Sequence, residues 1–298
     1  YKHRSINKNH IDNLIIALFE NRIVGQIGLI PVELMLDNNK VLCFWGCDLM
    51  VEEKFRIKGV GIALHKHVIK RGRVLLGSYP SPKAEILDRL LNFKKINGPS
   101  LWYFPIDFKS LLKFKFQKSF KFLPSTFLKV LEFLYLKYFG IYKIPFSNLE
   151  LYDWQDLLEI HDKSQSKIKE PRIIHDKTFL EWRGNGTKTY TEKLKGLKHG
   201  DDSYLFFEKG SDCLYVYDWE IKSNKVAKDF ISQLVSIAKE FKKNRIQLTC
   251  NNNIQKKILS EAGFKKFKNP ISLYCYIPKK IPNFKKLFYS LYDSDGNI

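Results

Sequence analysis

Acidic residues are scarce in this chain. Its 31 Asp and Glu face 51 Lys and Arg, leaving a formal charge of +20. Such a surface attracts polyanions (nucleic acid, anionic membrane, phosphate-bearing small molecules), and charge alone does not choose among them. Cysteines are few and scattered. Only Cys43 and Cys47 lie close together, and no second Cys or His pair completes a zinc-binding spacing. No metal site is therefore expected, and the thiols read as reduced, in a cytoplasmic protein. No apolar run reaches 18 residues and no signal peptide is seen, so no membrane span is expected. There is no initial methionine, and the natural protein is expected to begin earlier. H-E-x-x-H, G-x-S-x-G and Walker lysine motifs are missing, as are helix-turn-helix and RNA-recognition signatures.

What is present is a globular composition, 44% hydrophobic and 14% aromatic over 298 residues, enough for two domains with sizeable cores. Residues 13–51 are rich in Ile, Leu, Val and Phe and are punctuated at Glu20-Asn21-Arg22 and Asp37-Asn38-Asn39. They predict three antiparallel strands, at about 13–19, 22–35 and 40–51. A helix follows over 59–71, then a short strand in 73–80, a helix over 83–93 and a strand around 100–106. Residues 107–145 mix lysine with Phe, Leu and Tyr and predict one or two amphipathic helices broken at Pro124. They suit a bridge between domains or a membrane-surface contact. The second half predicts a strand and helix in 149–165, a helix in 176–184, strands in 203–209 and 213–221, a helix at 225–241, a strand in 245–250, a helix in 253–264 and a last strand in 271–278. The halves look like weak repeats. "YKHR" (1–4) echoes "EWRG" (181–184), and "AEILDRLLNF" (84–93) echoes "KKILSEAGF" (256–264). The expected units are 1–106, a bridge at 107–145, and 146–298.

The most informative stretch is "EEKFRIKGVGIAL" (52–64). A strand runs into Arg56-x-x-Gly59-x-Gly61 and a helix comes out. A helix N-terminus offers unpaired N–H groups and partial positive charge, and glycines let a phosphate approach the backbone. Arg56 and Lys58 add charge. This pattern resembles motif A of the GCN5-related N-acetyltransferases, and "LSEAGF" (259–264) resembles that family's end-of-helix signature. The resemblance implies two tandem α/β (α+β) folds, each a mixed, mostly antiparallel sheet flanked by helices. It implies acetyl-CoA or another acyl-CoA bound by the first unit through Arg56, Ile57, Lys58, Gly59, Val60 and Gly61. The splayed strand near Met50 and Val51 would bind the pantetheine arm and polarise the thioester. In the second unit the same place reads "KSNKVAKDF" (222–230), without glycine, so one cofactor site is expected.

The family's usual tyrosine acid falls on Asp88. Tyr79, in "GSYPSP", is the substitute candidate for protonating the leaving thiolate. Asp48, inside the apolar "CFWGCDLMV", is the candidate base for an amine acceptor. Asp218 and Glu220 are candidates for facing that acceptor from the second unit. His65 and His67 read as surface residues. The activity implied is N-acylation of a primary amine, with amino sugars of surface-polysaccharide precursors as an acceptor class by analogy. Two alternatives stand beside it. One is aminoacyl transfer from tRNA in cell-wall peptide synthesis. The other is a non-enzymatic module that binds nucleic acid or membrane through 107–145 and "PKKIPNFKKLFYSLY" (278–292).

Overall fold

The computed structural model describes residues 14–107, 124–138, 149–184, 194–268 and 271–293. The echo at 1–4 and much of the 107–145 bridge lie outside them. Three antiparallel strands open the fold: β1 (Leu14–Phe19), β2 (Arg22–Leu36) and β3 (Asn39–Val51). Two-residue turns join them. Glu20, Asn21, Asp37 and Asn38 all take positive φ, the conformation that matches hairpin twist and that Asn and Asp tolerate best. One helical turn, α1 (Glu53–Arg56), precedes α2 (Val60–Ile69). Then come β4 (Val74–Ser78), α3 (Pro82–Leu90), β5 (Lys94–Asn97) and β6 (Ser100–Pro105).

After α4 (Ser125–Tyr138) the second set begins. It comprises β7 (Leu151–Asp153), a 3₁₀ turn (Trp154–Leu157), α5 (Leu158–Gln165), β8 (Arg172–Ile173) and α6 (Lys177–Gly184). It continues with β9 (Lys195–His199), β10 (Ser203–Lys209), β11 (Cys213–Glu220), α7 (Asn224–Glu240), β12 (Arg245–Cys250), α8 (Asn253–Glu261), β13 (Lys265–Lys266) and β14 (Ser272–Tyr276). Side-chain caps mark the helix starts that were legible. Ser81, Ser223 and Asn252 accept from Ala84, Val226 and Gln255 backbone N–H.

The strands build two mixed seven-stranded sheets that exchange members. The first runs β1-β2-β3-β4-β14-β5, with β8 also on β2; the second runs β13-β6-β12-β11-β10-β9-β7. Thus β14, from the end of the chain, lies between β4 and β5 of the first half. In return β6 lies between β12 and β13 of the second half. Units that are contiguous in sequence therefore do not keep their own last strands. "SLYCY" and "SLWYFP" are nearly unbroken apolar runs because each becomes an interior strand covered on both faces.

One face of the first sheet packs on α2 and α3 through Ile27, Leu29, Phe44, Leu64, Val68 and Phe93. One face of the second sheet packs on α7 and α8. The other two faces share a core in which Trp45, Val32 and Leu273 meet Trp154, Tyr204, Phe206 and Tyr289. The bridge helix α4 joins the second sheet's core. Leu136 is buried there, and the Tyr135 hydroxyl donates to the Gly263 carbonyl. The basic tail is no free arm. Phe284, Leu287, Tyr289 and Leu291 are buried, and Asn97 N–H donates to Lys285 O at 2.9 Å. Among the described residues no helix is long and apolar enough to cross a membrane.

Candidate active site

The parallel ladder between β3 and β4 is short. It pairs Cys43, Phe44 and Trp45 with Val74, Leu75 and Leu76 and stops there. Beyond Trp45 the strands part, while β3 stays paired to β2 as far as Val51. Its register to β2 slips between Cys47 and Met50, and Asp48 sits in the extra position at φ 47°. A bulge of this kind increases local twist and swings the strand end away from its neighbour. Beside this strand end lies a cleft of about 800 Å³, walled by β2, β3, α2 and α3. Its walls are mostly apolar (Ile23, Leu49, Met50, Val51, Leu87 and Leu90 among them), with Arg56 and Lys83 bringing positive charge.

Two helix N-termini border this cleft. Gly59 and Gly61 line it from α2, and Ser81, Lys83 and Ala84 from α3. The two glycines serve different ends. Gly59 has φ 78°, and nothing lies within 4 Å of where a Cβ would stand, so its need is conformational. Gly61 has ordinary φ. A Cβ there would meet Leu87 Cδ2 at 3.5 Å and Val51 Cγ2 at 3.9 Å, ordinary contacts on the cleft wall. Its missing side chain leaves room at the mouth of a helix whose first N–H groups are unpaired. Arg56 Nε donates to the Val51 carbonyl at 2.9 Å, which ties the α1 turn to the end of β3.

Of the sequence-predicted cofactor residues, Met50, Val51, Arg56, Gly59 and Gly61 line the cleft. Ile57, Lys58 and Val60 do not. Ile57 is 92% exposed. The Lys58 ammonium lies 5.0 Å from the Phe55 ring and 5.7 Å from the Phe19 ring, on α1's other side. Val60 faces inward, where it closes on Gly25. Lys83 and Ser81 were not anticipated in the site. Their Ser-Pro helix start was readable, but its convergence with α2 was not.

Asp48 is exposed, not buried in the apolar strand as its neighbours suggested; the bulge turns it outward. Tyr79 is 44% exposed, at φ 48°, and its N–H donates to Ser272 O on β14 at 3.0 Å. Burial of part of the phenol pushes its pKa up to about 12. Asp48 and Tyr79 each stand three residues past the last β3–β4 pair, and neither is among the residues that line the cleft. Asp88 faces away from the cleft and is buried against α2, its Oδ1 3.8 Å from His65 Nε2. Burial raises its carboxyl to about 6. His65 is thus a core residue and not a surface one. Its Nδ1 lies 3.1 Å from Gly61 O, its ring packs edge-on against Phe93, and burial lowers its pKa.

The second unit repeats the wedge and fills it. The β11–β12 ladder also stops after three pairs, Cys213 to Tyr215 with Arg245 to Gln247. Counted from those pairs, Asp218 takes the step that Asp48 takes on β3. Here Trp219 occupies the gap, and its indole N–H donates to Thr249 O at 3.0 Å. With Ile221, Phe230, Leu248 and Leu259 it leaves a space of about 10 Å³.

Asp218 does not face an acceptor space. It is 4% exposed and bound on all sides: Oδ1 accepts Trp219 N–H at 2.8 Å, and Oδ2 accepts Gln165 Nε2 at 2.8 Å. His161 Nε2 and His175 Nδ1 lie 3.3 and 3.5 Å from Oδ2. Those two histidines were missed, because neither "EIHDK" nor "IIHDK" shows in sequence that the fold will bury it beside a carboxylate. The Asp218 carboxyl is held well below its usual range by the two imidazoles, against the effect of burial. Glu220 parts from it and pairs with Lys222 at the surface.

These features (a splayed β3–β4 pair, a bulge, a glycine turn into a helix, and exchanged last strands) define an acyltransferase-type fold, and solved structures match it. A GCN5-related N-acetyltransferase from Anabaena variabilis superposes with TM-score 0.58 at 14% identity, over 90% of this chain and 63% of that one. One from Kribbella flavida gives 0.58 at 11%, over 89% and 59%. Saccharomyces cerevisiae N-myristoyltransferase, solved with bound myristoyl-CoA, gives 0.55 at 14%, over 87% and 69%. The chain has the GCN5-related N-acetyltransferase fold, and it spans about three fifths of the length of the two acetyltransferases. No protein-family model and no curated protein matches it.

Proposed function

We propose that this chain is an acyl-CoA-dependent N-acyltransferase, acetyl-CoA being the first donor to test, and that it binds its donor in the cleft at the end of β3 in the first unit. The supporting observation is the cleft itself: an apolar wedge beside the strand end that β4 no longer pairs, ending at two helix N-termini with Arg56 and Lys83 beside them. The pyrophosphate lies at Gly59–Gly61 and the pantetheine arm runs along Met50 and Val51. The acceptor is a primary amine, of which amino sugars of surface-polysaccharide precursors are one class. Asp48 takes the ammonium proton, directly or through water. The amine nitrogen bonds to the thioester carbon, the C–S bond breaks, and Tyr79 protonates the departing thiolate. A phenol with a pKa near 12 stays protonated at neutral pH, as this role requires. The filled wedge at Trp219 leaves the second unit to shape the acceptor side.

Thermal shift with acetyl-CoA, longer acyl-CoAs and free CoA tests the donor site. The wild type is stabilised, and Gly61→Glu clearly less so. A wild type indifferent to every CoA species overturns the proposal. An amine-acceptor screen with the best donor then separates amino sugars from other acceptors. Loss of turnover with retained donor binding in Tyr79→Phe supports its role as the acid.

A further inference from the structure

We propose that His161, His175 and Asp218 bind one divalent transition-metal ion of the zinc class, as a structural clamp between the two sheets. This stands apart from the acyl-transfer site and does not depend on it. One donor atom from each of the three residues lies within 4.8 Å of the other two, and all three residues are buried. The two imidazole–carboxylate separations, 3.3 Å for His161 Nε2 and 3.5 Å for His175 Nδ1, match the edges of a tetrahedron. With zinc–ligand bonds of about 2.0–2.1 Å those edges are about 3.3 Å. Asp218 Oδ2 keeps one lone pair for Gln165 and has a second for the metal.

The surroundings are those of ligands. Each imidazole turns its other nitrogen to a separate carboxylate: His161 Nδ1 to Asp162 Oδ1 at 3.1 Å, and His175 Nε2 to Asp293 Oδ1 at 2.6 Å. Carboxylates in that position fix the ring and its tautomer and are the common outer shell of metal-bound histidine. Asp218 and Asp293 are two buried carboxylates, 4% and 2% exposed, and either a divalent cation with two neutral imidazoles or two imidazoliums balances them, so the geometry and not the charge carries the proposal. Two nitrogens and one oxygen suit zinc, with a fourth position left to a water.

The placement gives the ion a structural task. His161 is on α5, His175 follows β8 of the first sheet, Asp218 is on β11 of the second, and Asp293 lies near the end of the described chain. Cysteine–histidine spacing rules do not find such a site, because its ligands come from separate elements.

The test is metal analysis of the whole chain, purified without chelators and also refolded with Zn²⁺ or Co²⁺. One metal per chain is expected, with the visible bands of tetrahedral Co²⁺ and a higher melting temperature than the chelator-treated protein. Asp218→Asn loses the metal. Asp162→Asn changes an exposed residue, so folding is spared; it keeps the stoichiometry but weakens affinity about 10- to 100-fold. If the refolded wild type shows neither bound metal nor cobalt bands, the cluster is an imidazolium–carboxylate network and the proposal fails. It also fails if His161→Gln/His175→Gln folds and retains one metal per chain.

Discussion

Gly59 and Gly61 are two residues apart, and substituting them should give opposite phenotypes. Gly59 holds φ 78° with open space around its Cβ position. Alanine there meets no neighbour, and its cost is the left-handed backbone, about 1–2 kcal/mol. For a chain of this size that lowers the melting temperature by a few degrees. The helix mouth is otherwise unchanged, so acyl-CoA should still raise it. Gly61 has ordinary φ, and its Cβ direction leads onto the cleft wall between Leu87 and Val51 at normal contact distance. Glutamate at this second helical position replaces a poor helix former and sets a carboxylate against the helix dipole. Together these stabilise by roughly 0.5–1 kcal/mol. The same carboxylate takes the place of a ligand phosphate. Losing one or two charge-assisted hydrogen bonds at about 1.5–3 kcal/mol each weakens acyl-CoA about 10-fold or more. Thermal melts of wild type, Gly59→Ala and Gly61→Glu, with and without acyl-CoA, read both effects at once. The expected pattern is a low melt that still responds for Gly59→Ala, and a wild-type or higher melt with a clearly reduced response for Gly61→Glu. A full ligand response in Gly61→Glu would refute the placement of the donor. An unchanged melt in Gly59→Ala would refute the account of the turn.

Asp88 provides a test by pH. Its carboxyl moves from an ordinary 3.8 to about 6 because the folded chain buries it. The unfolded chain ionises first, so this group makes stability fall as pH rises from about 4 to 6. The cost is complete above 6, with a ceiling of about 3 kcal/mol. His65, lowered by burial, gives the opposite slope as pH falls below 6.5, so the comparison must be wild type against Asp88→Asn. The variant should gain stability at pH 7 and not at pH 4, by urea denaturation. The strand exchange predicts that residues 1–107 alone do not fold, because β14 is missing from between β4 and β5. Dispersed NMR signals from that fragment would contradict it. Leu273→Ala, at 1% exposure on β14, should cost about 2–4 kcal/mol. Trp219→Ala should cost about 3–5 kcal/mol and empty the second wedge without creating acyl-CoA binding, since no glycine turn follows β11; titration of that variant with acyl-CoA decides.

Much of the fold was legible in the order of residues. The hairpins at Glu20-Asn21 and Asp37-Asn38 were readable because positive φ restricts which residues serve there. The helices α7 and α8 were expected at 225–241 and 253–264, and the structure adds Ser223 and Asn252 as their caps. The turn Arg56-x-x-Gly59-x-Gly61 was readable because a strand, a glycine turn and a helix N-terminus are all local events. So was the missing second turn at "KSNKVAKDF". Local steric and hydrogen-bonding rules act over a few residues, and sequence displays them directly.

Tertiary structure decided where those pieces met. Nothing local distinguishes β6 from β14, two apolar strands of similar make. That each joins the other half's sheet is a matter of long-range pairing. The bulge turned Asp48 outward, while Asp218, at the same step of the other sheet, was buried between two histidines. Lys83 reached the cleft because α3 lies beside α2, and His65 left the surface because Phe93 and Asp88 close over it. Burial and partnership are properties of distant segments brought together, and burial and partnership set the charge state of a side chain. The sequence by itself determined the hairpins, the glycine turn and the helix starts. Which carboxylates and imidazoles share a site was fixed only by the packing of the two sheets.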